Sequence, residues 1–362
     1  MFQGAKRIAS GRLLAAVAGT MLATALFALW FASDLGGARA TLWADDVATP
    51  LAAATAAVAC LRAAARHGGR MRLFWSLLTA ATVCWTLAEV VWGVYALVLS
   101  EAVPSPSWAD VGYLGAIPLA VTALALHPGT RASGRRRARL VFDGAVVASA
   151  LLFLSWTLVL GPLWRSTDLS TLGGVVTIAY PFGDILILFF VVLAIRGMTG
   201  SERLSLWCLL AALGAMALSD SSFTYLTEVS TYSSSSANVI DAGWIAAYLG
   251  IALAALASRG GAWTPQPDRS RPSLAALTAP LLTVLLALIV VAVQINLGHR
   301  PDRAAWLMAF GLVALVMVRQ ALALLEFFAA PHEDTLRLSE RIAEAALGEA
   351  PRPYPARVPA ER

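Results

Sequence analysis

Residues 108–115 read WADVGYLG and lead into one of the most apolar stretches of the chain. A related segment, DAGWIAAYLG, occupies residues 241–250 and also opens an apolar run. Each begins with an aspartate and an aromatic residue, which is an unusual start for a segment of this hydrophobicity. The segments therefore raise two questions: in what environment such runs fold, and whether the chain contains an internal repeat.

The composition is that of an integral membrane protein. Only 14% of the 362 residues are charged, 59% are hydrophobic, and the mean hydropathy is +0.71, whereas a soluble domain carries about a quarter charged residues. Apolar stretches of about 20 residues, enough to cross the hydrocarbon core as a helix, recur between short polar breaks. The ten predicted spans are 13–32, 47–65, 73–98, 109–127, 140–164, 174–196, 204–226, 239–257, 273–297 and 304–327.

These spans predict an all-α polytopic membrane protein, because the alternating pattern of a membrane β-barrel is absent and helices satisfy their own backbone in lipid. We divide the chain into a transmembrane domain, 1–327, and a cytoplasmic tail, 328–362, which has a short amphipathic helix over 333–347 and a Pro-rich end. Residues 1–40 also have the layout of a secretory signal, so a cleaved signal is the alternative to a retained first span.

Basic residues predict the orientation, because cytoplasmic loops retain Lys and Arg. With a cytoplasmic N-terminus, 23 of the 27 basic residues fall on the cytoplasmic side. The chain is thus expected to be a multi-pass protein of the bacterial plasma membrane with both termini in the cytoplasm; the dominance of arginine over lysine is typical of a high-GC bacterium. The charge of +5 then reflects topology and the lipid surface, and nucleic acid is not an expected partner.

The spacing of acidic residues predicts a parallel repeat. Glu89 and Asp110 are 21 residues apart, and Asp220 and Asp241 are also 21 residues apart. The first four-helix unit would cover 13–127 and the second 140–257, with two additional helices in 273–327. The Tyr-Leu-Gly triplets of the two units are out of step by four residues, which we interpret as drift between the copies.

Carboxyl groups within a membrane are costly, and they are retained where they bind, relay protons or pair. Six acids fall between the bilayer middle and the predicted outer face: Asp46, Glu89, Asp110, Asp184, Asp220 and Asp241. Aromatic residues accompany them at helical spacing, and Pro181 and Gly183 are expected to unwind or kink their helix. The candidate ligand-binding residues are Glu89, Asp184, Asp220, Asp110, Asp241, Trp85, Trp92, Tyr113, Tyr180, Trp244 and Tyr248.

A structural role is the alternative for the same residues. Asp110, Asp241 and Asp46 stand where they would cap the start of a helix. Buried acids also join helices through Tyr, Trp, Ser or Thr, and Trp and Tyr form the aromatic belt at the membrane interface.

No cofactor or metal is expected. The three cysteines, Cys60, Cys84 and Cys208, lie within predicted spans, and the four histidines lie in loops or at span ends. The sequence also lacks the Ser-His, His-Glu-x-x-His and Asp-rich patterns of membrane enzymes, so enzymatic activity is not expected.

The order of Asp110 before YLG, YPFGD at 180–184, Asp220 and DAGW at 241–244 resembles the multi-span N-terminal sensor regions of actinobacterial cyclic-di-GMP signalling proteins. In those proteins a diguanylate cyclase or phosphodiesterase domain follows the membrane part. The resemblance covers about residues 45–327 and implies a sensor whose pocket candidates are Asp110, Tyr113, Tyr180, Asp184, Asp220, Asp241 and Tyr248. The chain has no GGDEF or EAL-type domain, so catalysis is not implied.

The sequence thus predicts a membrane sensor or regulatory module that responds to a small ligand, a cation or pH. Its expected partners are the lipid bilayer, a cytoplasmic signalling protein and a second copy of the chain as a homodimer. The alternative function is a small-molecule or cation transporter, because parallel repeats and acids at membrane depth are also features of transporters.

Overall fold

A computed structural model describes residues 2–130, 134–166, 170–198, 202–228, 232, 237–258, 274–298, 300–322 and 324. Within these ranges every regular element is a helix, which confirms the all-α class. The predicted tail helix at 333–347 and the Pro-rich end lie outside the described residues.

The helices follow one another through short connections. They are α1 (Phe2–Ser33), α2 (Ala38–Arg66), α3 (Gly69–Gly93), α4 (Trp108–Leu126), α5 (Gly134–Ser155), α6 (Gly161–Ser166), α7 (Leu172–Gly197), α8 (Glu202–Glu228), α9 (Asp241–Ala257), α10 (Leu274–Asn296) and α11 (Arg303–Leu322). A π-helical segment, Val94–Leu99, extends α3, and another, Trp156–Leu160, joins α5 to α6.

Eight helical segments are long and apolar enough to cross a membrane, so the chain is a polytopic membrane protein. They coincide with eight of the ten predicted spans. The other two, 239–257 and 273–297, correspond to shorter apolar helices in the described part of the chain, Asp241–Ala257 and Val284–Asn296.

Six helices form a closed ring. In the order α2, α3, α4, α7, α8 and α9, each helix packs against the next, and α9 packs against α2. Outside the ring, α1 packs on α9, α5 on α7, and α10 on α5. Opposite positions in this ring are occupied by α2 and α7, by α3 and α8, and by α4 and α9.

Small residues allow the ring helices to approach closely. The facing side of α2 consists largely of alanine, with Ala53, Ala56 and Ala63 fully buried. At Gly112 on α4, a Cβ atom would lie 2.8 Å from the carbonyl oxygen of Cys84 on α3. Such close approach replaces the hydrophobic effect as the source of packing energy inside a bilayer.

The two ends of the ring differ in character. At one end, which we call the acidic end, α2, α4, α7 and α9 begin and α3 and α8 finish. Toward the opposite end, fully buried side chains fill the interior; they include Trp75, Leu78, Leu124, Leu209 and Ile251. There the guanidinium of Arg66 donates a 2.8 Å hydrogen bond to the carbonyl oxygen of Ala255 on α9.

Helix α11 is joined to α5 near both of its ends. The buried Arg319 donates a 2.7 Å hydrogen bond to Asp143 on α5, and Arg196 of the ring helix α7 lies 3.4 Å from the same carboxylate. At the other end, Asp302 accepts hydrogen bonds from Trp156 Nε1 (3.1 Å) and from Arg165 (2.6 Å). These contacts connect α11 to the ring through α5.

Two local predictions were wrong. Helix α2 begins at Ala38 rather than near residue 47, and α7 continues as a helix through Pro181 instead of unwinding there. Proline removes a single backbone donor, and the long helix on either side tolerates this loss. Gly183 serves close packing, because a Cβ at this position would collide with Ile117 of α4.

Candidate functional site

A cavity of about 370 Å³ lies inside the ring at its acidic end. It extends to the loop between α3 and α4, where Val103, Pro104, Ser105 and Ser107 line it. Six carboxyl groups face it, from Asp45, Asp46, Glu89, Asp110, Asp184 and Asp220, and its lining contains no Lys, Arg or His. Carboxylates gathered in a water-poor interior repel one another, so a proton or a cation must offset their charge.

The structure brings ten of the eleven candidate residues to this one cavity. The exception is Asp241, which is buried behind the lining. Asp45, Thr49 and Tyr232 also belong to the site and were missed. The i, i+4 spacing of Asp45 and Thr49 was a signal for them, because such residues share one helix face.

Glu89 of α3 is held by hydrogen bonds from other helices. The hydroxyl of Tyr248 on α9 donates a 2.7 Å hydrogen bond to its Oε1, and Tyr113 of α4 also hydrogen-bonds the carboxyl group. The ring of Trp85, one turn away on α3, lies 6.3 Å from that of Tyr248. These contacts fix the side chain at the centre of the ring.

Asp220 of α8 has a similar setting. The indole Nε1 of Trp244 on α9 donates a 2.6 Å hydrogen bond to its Oδ1. The ring of Phe223 lies 5.9 Å from Trp244 and 6.0 Å from Trp92 on the opposite helix α3. An aromatic bridge therefore crosses the cavity beside this carboxylate.

Asp110 and Asp241 each cap a helix. Oδ2 of Asp110 accepts a 2.6 Å hydrogen bond from the backbone N–H of Ser107, and Oδ2 of Asp241 accepts a 2.5 Å hydrogen bond from that of Asn238. Asp110 faces the cavity as well, where its Oδ1 accepts a 2.5 Å hydrogen bond from the hydroxyl of Tyr180 on α7. The capping interpretation thus describes Asp241, while Asp110 both caps α4 and lines the cavity.

The prediction that Asp46 caps a helix was wrong, because α2 begins at Ala38 and places Asp46 two turns inside it. The side chain is only 9% exposed, and its Oδ2 is buried without a hydrogen-bond partner. Oδ2 of Asp184 on α7 is buried without a partner as well. These two oxygens are the unsatisfied carboxylate atoms of the site.

Tyr232, in the loop before α9, closes the site beside α2. Its hydroxyl lies 3.3 Å from Oδ1 of Asp241. Burial, together with the neighbouring carboxylates, raises the pKa of Tyr232 well above its usual value, so the hydroxyl remains a donor. Asp241 also hydrogen-bonds the side chain of Asp45, and two carboxyl groups in such contact need a proton or a cation between them.

Residues 131 positions apart in the chain occupy corresponding places around the cavity. Both members line it in the pairs Asp45/Val176, Asp46/Thr177, Thr49/Tyr180, Trp85/Met216, Glu89/Asp220, Trp92/Phe223, Tyr113/Trp244 and Ile117/Tyr248. The same separation relates α2 to α7, α3 to α8 and α4 to α9, which are the opposite members of the ring.

Backbone details repeat at the same separation. A Cβ at Gly112 would press on Cys84 and Ala88, and a Cβ at Gly243 would press on Ser219, with the carbonyl of Ala215 behind it. The caps of Asp110 and Asp241 are related in the same way, as are Pro50 and Pro181. The corresponding sequences are thus DVGY and DAGW, so Tyr113 matches Trp244 and the two Tyr-Leu-Gly triplets do not correspond.

The site has the chemistry of a cation receptor. It combines carboxylates with the faces of Trp, Tyr and Phe, which attract cations through their π electrons. Among the described residues, no three His, Cys, Asp or Glu side chains are arranged so that they could hold a metal ion. The carboxyl groups are spread around the wall of the cavity instead of converging on one point.

Comparison of the chain with known protein families, curated proteins and solved structures finds no match.

Proposed function

We propose that the protein is a membrane sensor or regulatory module that binds a small cationic ligand in the acid-aromatic cavity and signals through a cytoplasmic partner. The observation that carries this proposal is a cavity faced by six carboxyl groups at one end of a helix ring whose other end is filled by buried apolar side chains. A receptor needs access from one side only, whereas a transporter needs access from both.

We further propose that the acidic end faces outward. The arginine-rich segments then lie in the cytoplasm, as the distribution of basic residues requires. The proposed topology has ten spans, because α9 and α10 would cross together with the eight longer segments. The resemblance to sensor regions of cyclic-di-GMP signalling proteins leads to the same function and stays a prediction.

The proposed architecture is a duplication. One unit, 13–127, supplies α2, α3 and α4 to the ring, and the other, 140–257, supplies α7, α8 and α9. The constant separation of 131 residues between facing side chains supports this origin. The two additional helices of 273–327 then lie outside the duplicated part, where they are free to acquire another role.

Helix α11 is the proposed output. It is the last described helix before the tail, and Arg319 fastens it to Asp143, which Arg196 of the ring helix α7 also contacts. A ligand that changed the position of α7 would act on this shared carboxylate. The signal would therefore reach the cytoplasmic side through an ion cluster instead of a continuous helix from the cavity.

A transporter is the second candidate function, and the paired halves of the ring favour it, because alternating access commonly uses two related units that rock against each other. The two functions differ in what happens at the packed end. In a transporter this end opens in part of the cycle, while in a sensor it stays closed.

Cysteine labelling in proteoliposomes tests the proposal. With Cys60, Cys84 and Cys208 replaced by alanine, Thr49→Cys reports on the cavity and Leu209→Cys reports on the packed end. We expect Thr49→Cys to be labelled from one side only and Leu209→Cys to stay unlabelled with organic cations present or absent. Labelling of Leu209→Cys from the opposite side would show alternating access and contradict the sensor.

A further inference from the structure

We infer that the ligand of the cavity is a linear organic dication, a short diamine whose two ammonium groups bind Asp46 and Asp184. This inference rests on the proposed function, because it names the chemical class of the cation that the cavity receives. Its basis is the distribution of satisfied and unsatisfied carboxylate oxygens around the ring.

Four of the six cavity carboxylates already have donors. Glu89, Asp220 and Asp110 accept hydrogen bonds from Tyr248, Trp244 and Tyr180 respectively. Asp45 accepts a 3.1 Å hydrogen bond from Thr49. A carboxylate with such partners is oriented and partly stabilised without a ligand.

Asp46 and Asp184 are different, because each keeps one buried oxygen without a partner. A buried acceptor without a hydrogen bond is costly, and it persists where something outside the chain satisfies it. Both side chains line the cavity. Each is therefore an open position for a donor, and an ammonium group supplies both the donor and the opposite charge.

The two open positions lie on opposite helices of the ring, α2 and α7. They also differ in depth. The residue of α7 that corresponds to Asp46 is Thr177, and Asp184 comes seven residues later, about 10 Å farther along the helix. A single ammonium group cannot reach both carboxylates, whereas an elongated molecule with a cation at each end can.

The length of the ligand follows from this separation. Each ammonium nitrogen lies about 3 Å from its carboxylate oxygen. The distance that remains between the nitrogens is roughly 5 to 8 Å, which corresponds to about four or five methylene groups at standard bond lengths. The aromatic side chains Trp92, Phe223 and Trp244 cross the cavity and offer these methylene groups an apolar surface.

Metal ions fit the site less well. A divalent cation needs several oxygen ligands around one point, and no three acidic, His or Cys side chains among the described residues are so arranged. The wide spacing of the open oxygens and the aromatic lining both favour an organic ligand.

Isothermal titration of the purified full-length protein in detergent with 1,4-diaminobutane and 1-aminobutane tests the inference. We expect the diamine to bind at least tenfold more tightly than the monoamine. Asp46→Asn and Asp184→Asn should each reduce diamine affinity to about that of the monoamine. Glu101→Gln, which changes an exposed acid in the α3–α4 loop, is the matched control and should bind like the wild type.

The outcomes are distinguishable. Equal affinities for diamine and monoamine on the wild-type protein would overturn the dication inference while the cation cavity stands, and this comparison needs no variant. Preferential diamine binding that persists in both Asp46→Asn and Asp184→Asn would overturn the assignment of the two residues. Binding of neither amine, with no displacement by other organic cations, would contradict the proposed function as well.

Discussion

The hydroxyl of Tyr248 on α9 donates a 2.7 Å hydrogen bond to Glu89 on α3, across the interior of the ring. These helices are not neighbours in the ring order, so the bond links two walls of the cavity directly. Glu89 corresponds to Asp220, which accepts its own hydrogen bond from Trp244. Each central carboxylate is therefore oriented by an aromatic donor of α9, from a different turn of that helix.

Removing the donor to Glu89 should weaken both the fold and the site. We expect Tyr248→Phe to destabilise the protein by about 1 kcal/mol, the usual size of a hydrogen bond between membrane helices, and to lower cation affinity. Thermal unfolding in detergent and a binding titration measure the two effects. Tyr225→Phe is the control, because Tyr225 is mostly exposed; an equal loss in both variants would contradict the role of this bond.

Glycine at positions 112 and 243 should be required for packing. Gly112→Ala places a methyl group 2.8 Å from the backbone oxygen of Cys84, and overpacking of this kind typically costs about 1 to 3 kcal/mol. Gly243→Ala should cost less, because the obstructing hydroxyl of Ser219 can rotate, although its 3.0 Å hydrogen bond to Ile240 is then lost.

The control for these variants is Gly214→Ala, since a Cβ there meets no atom within 4 Å. It should leave thermal stability unchanged or raise it slightly, because alanine favours the helix. Comparison of the three unfolding midpoints decides the matter. A midpoint for Gly112→Ala equal to that of Gly214→Ala would show that the α3–α4 approach is looser than described.

The sequence was sufficient to predict the helical class and the positions of the apolar segments, because lipid imposes the length and composition of a span. It placed the start of α2 too late, since Asp45 and Asp46 looked like a polar break. Inside a ring, one helix face borders a polar cavity while the other meets lipid, so a helix can continue through charged residues.

The acids could also be predicted to lie at one depth, because depth follows from helical rise. Their convergence on a single cavity depends on which faces pack together, and that is set by small residues such as Gly112 and Gly183 that carry little signal in an alanine-rich chain. The matching of Tyr113 with Trp244 was missed for a related reason. The Tyr-Leu-Gly triplets drew attention to identity, whereas the corresponding positions share only aromatic character.

The ion cluster on α5 should be essential for attaching α11. Asp143→Leu leaves Arg319, which is only 3% exposed, beside Arg196 without their shared anion. Removal of one partner from a buried ion pair costs about 3 to 5 kcal/mol. The double variant Asp143→Leu/Arg319→Met should recover most of this loss, because an apolar pair can replace a buried ion pair.

The exposed pair at the other end of α11 is the internal control. Arg165 and Asp302 are 2.6 Å apart, with 57% and 35% of their side chains exposed, and exposed pairs contribute little. Arg165→Met should therefore shift the unfolding midpoint far less than Asp143→Leu does. Similar shifts in the two variants would mean that burial of the Asp143 cluster has no special weight.

His127 should make stability depend on pH. It follows the last residue of the α4 span, and burial lowers its pKa to about 4; its Nδ1 accepts a 3.0 Å hydrogen bond from the N–H of Gly129. Below about pH 6.5 the unfolded state binds a proton that the folded state excludes. Stability is thus complete above pH 6.5 and decreases as the pH falls toward 4, by on the order of 3 kcal/mol.

The variant His127→Asn keeps an acceptor for Gly129 and removes the titrating ring. Unfolding midpoints measured from pH 7.5 to pH 4 should fall less steeply for this variant than for the wild type. Parallel curves would show that His127 does not control the response, and the decrease would then belong to other groups.

The central claim is that the carboxylates at the acidic end bind an organic cation. Its most direct test is the thermal stability of the purified protein with increasing 1,4-diaminobutane, compared between the wild type and Glu89→Gln/Asp220→Asn. A ligand at 100 times its dissociation constant stabilises the folded state by about 2.7 kcal/mol, so the wild type should show a saturable rise in midpoint that the double variant lacks. The same response in both proteins, or no rise in either, would contradict the account.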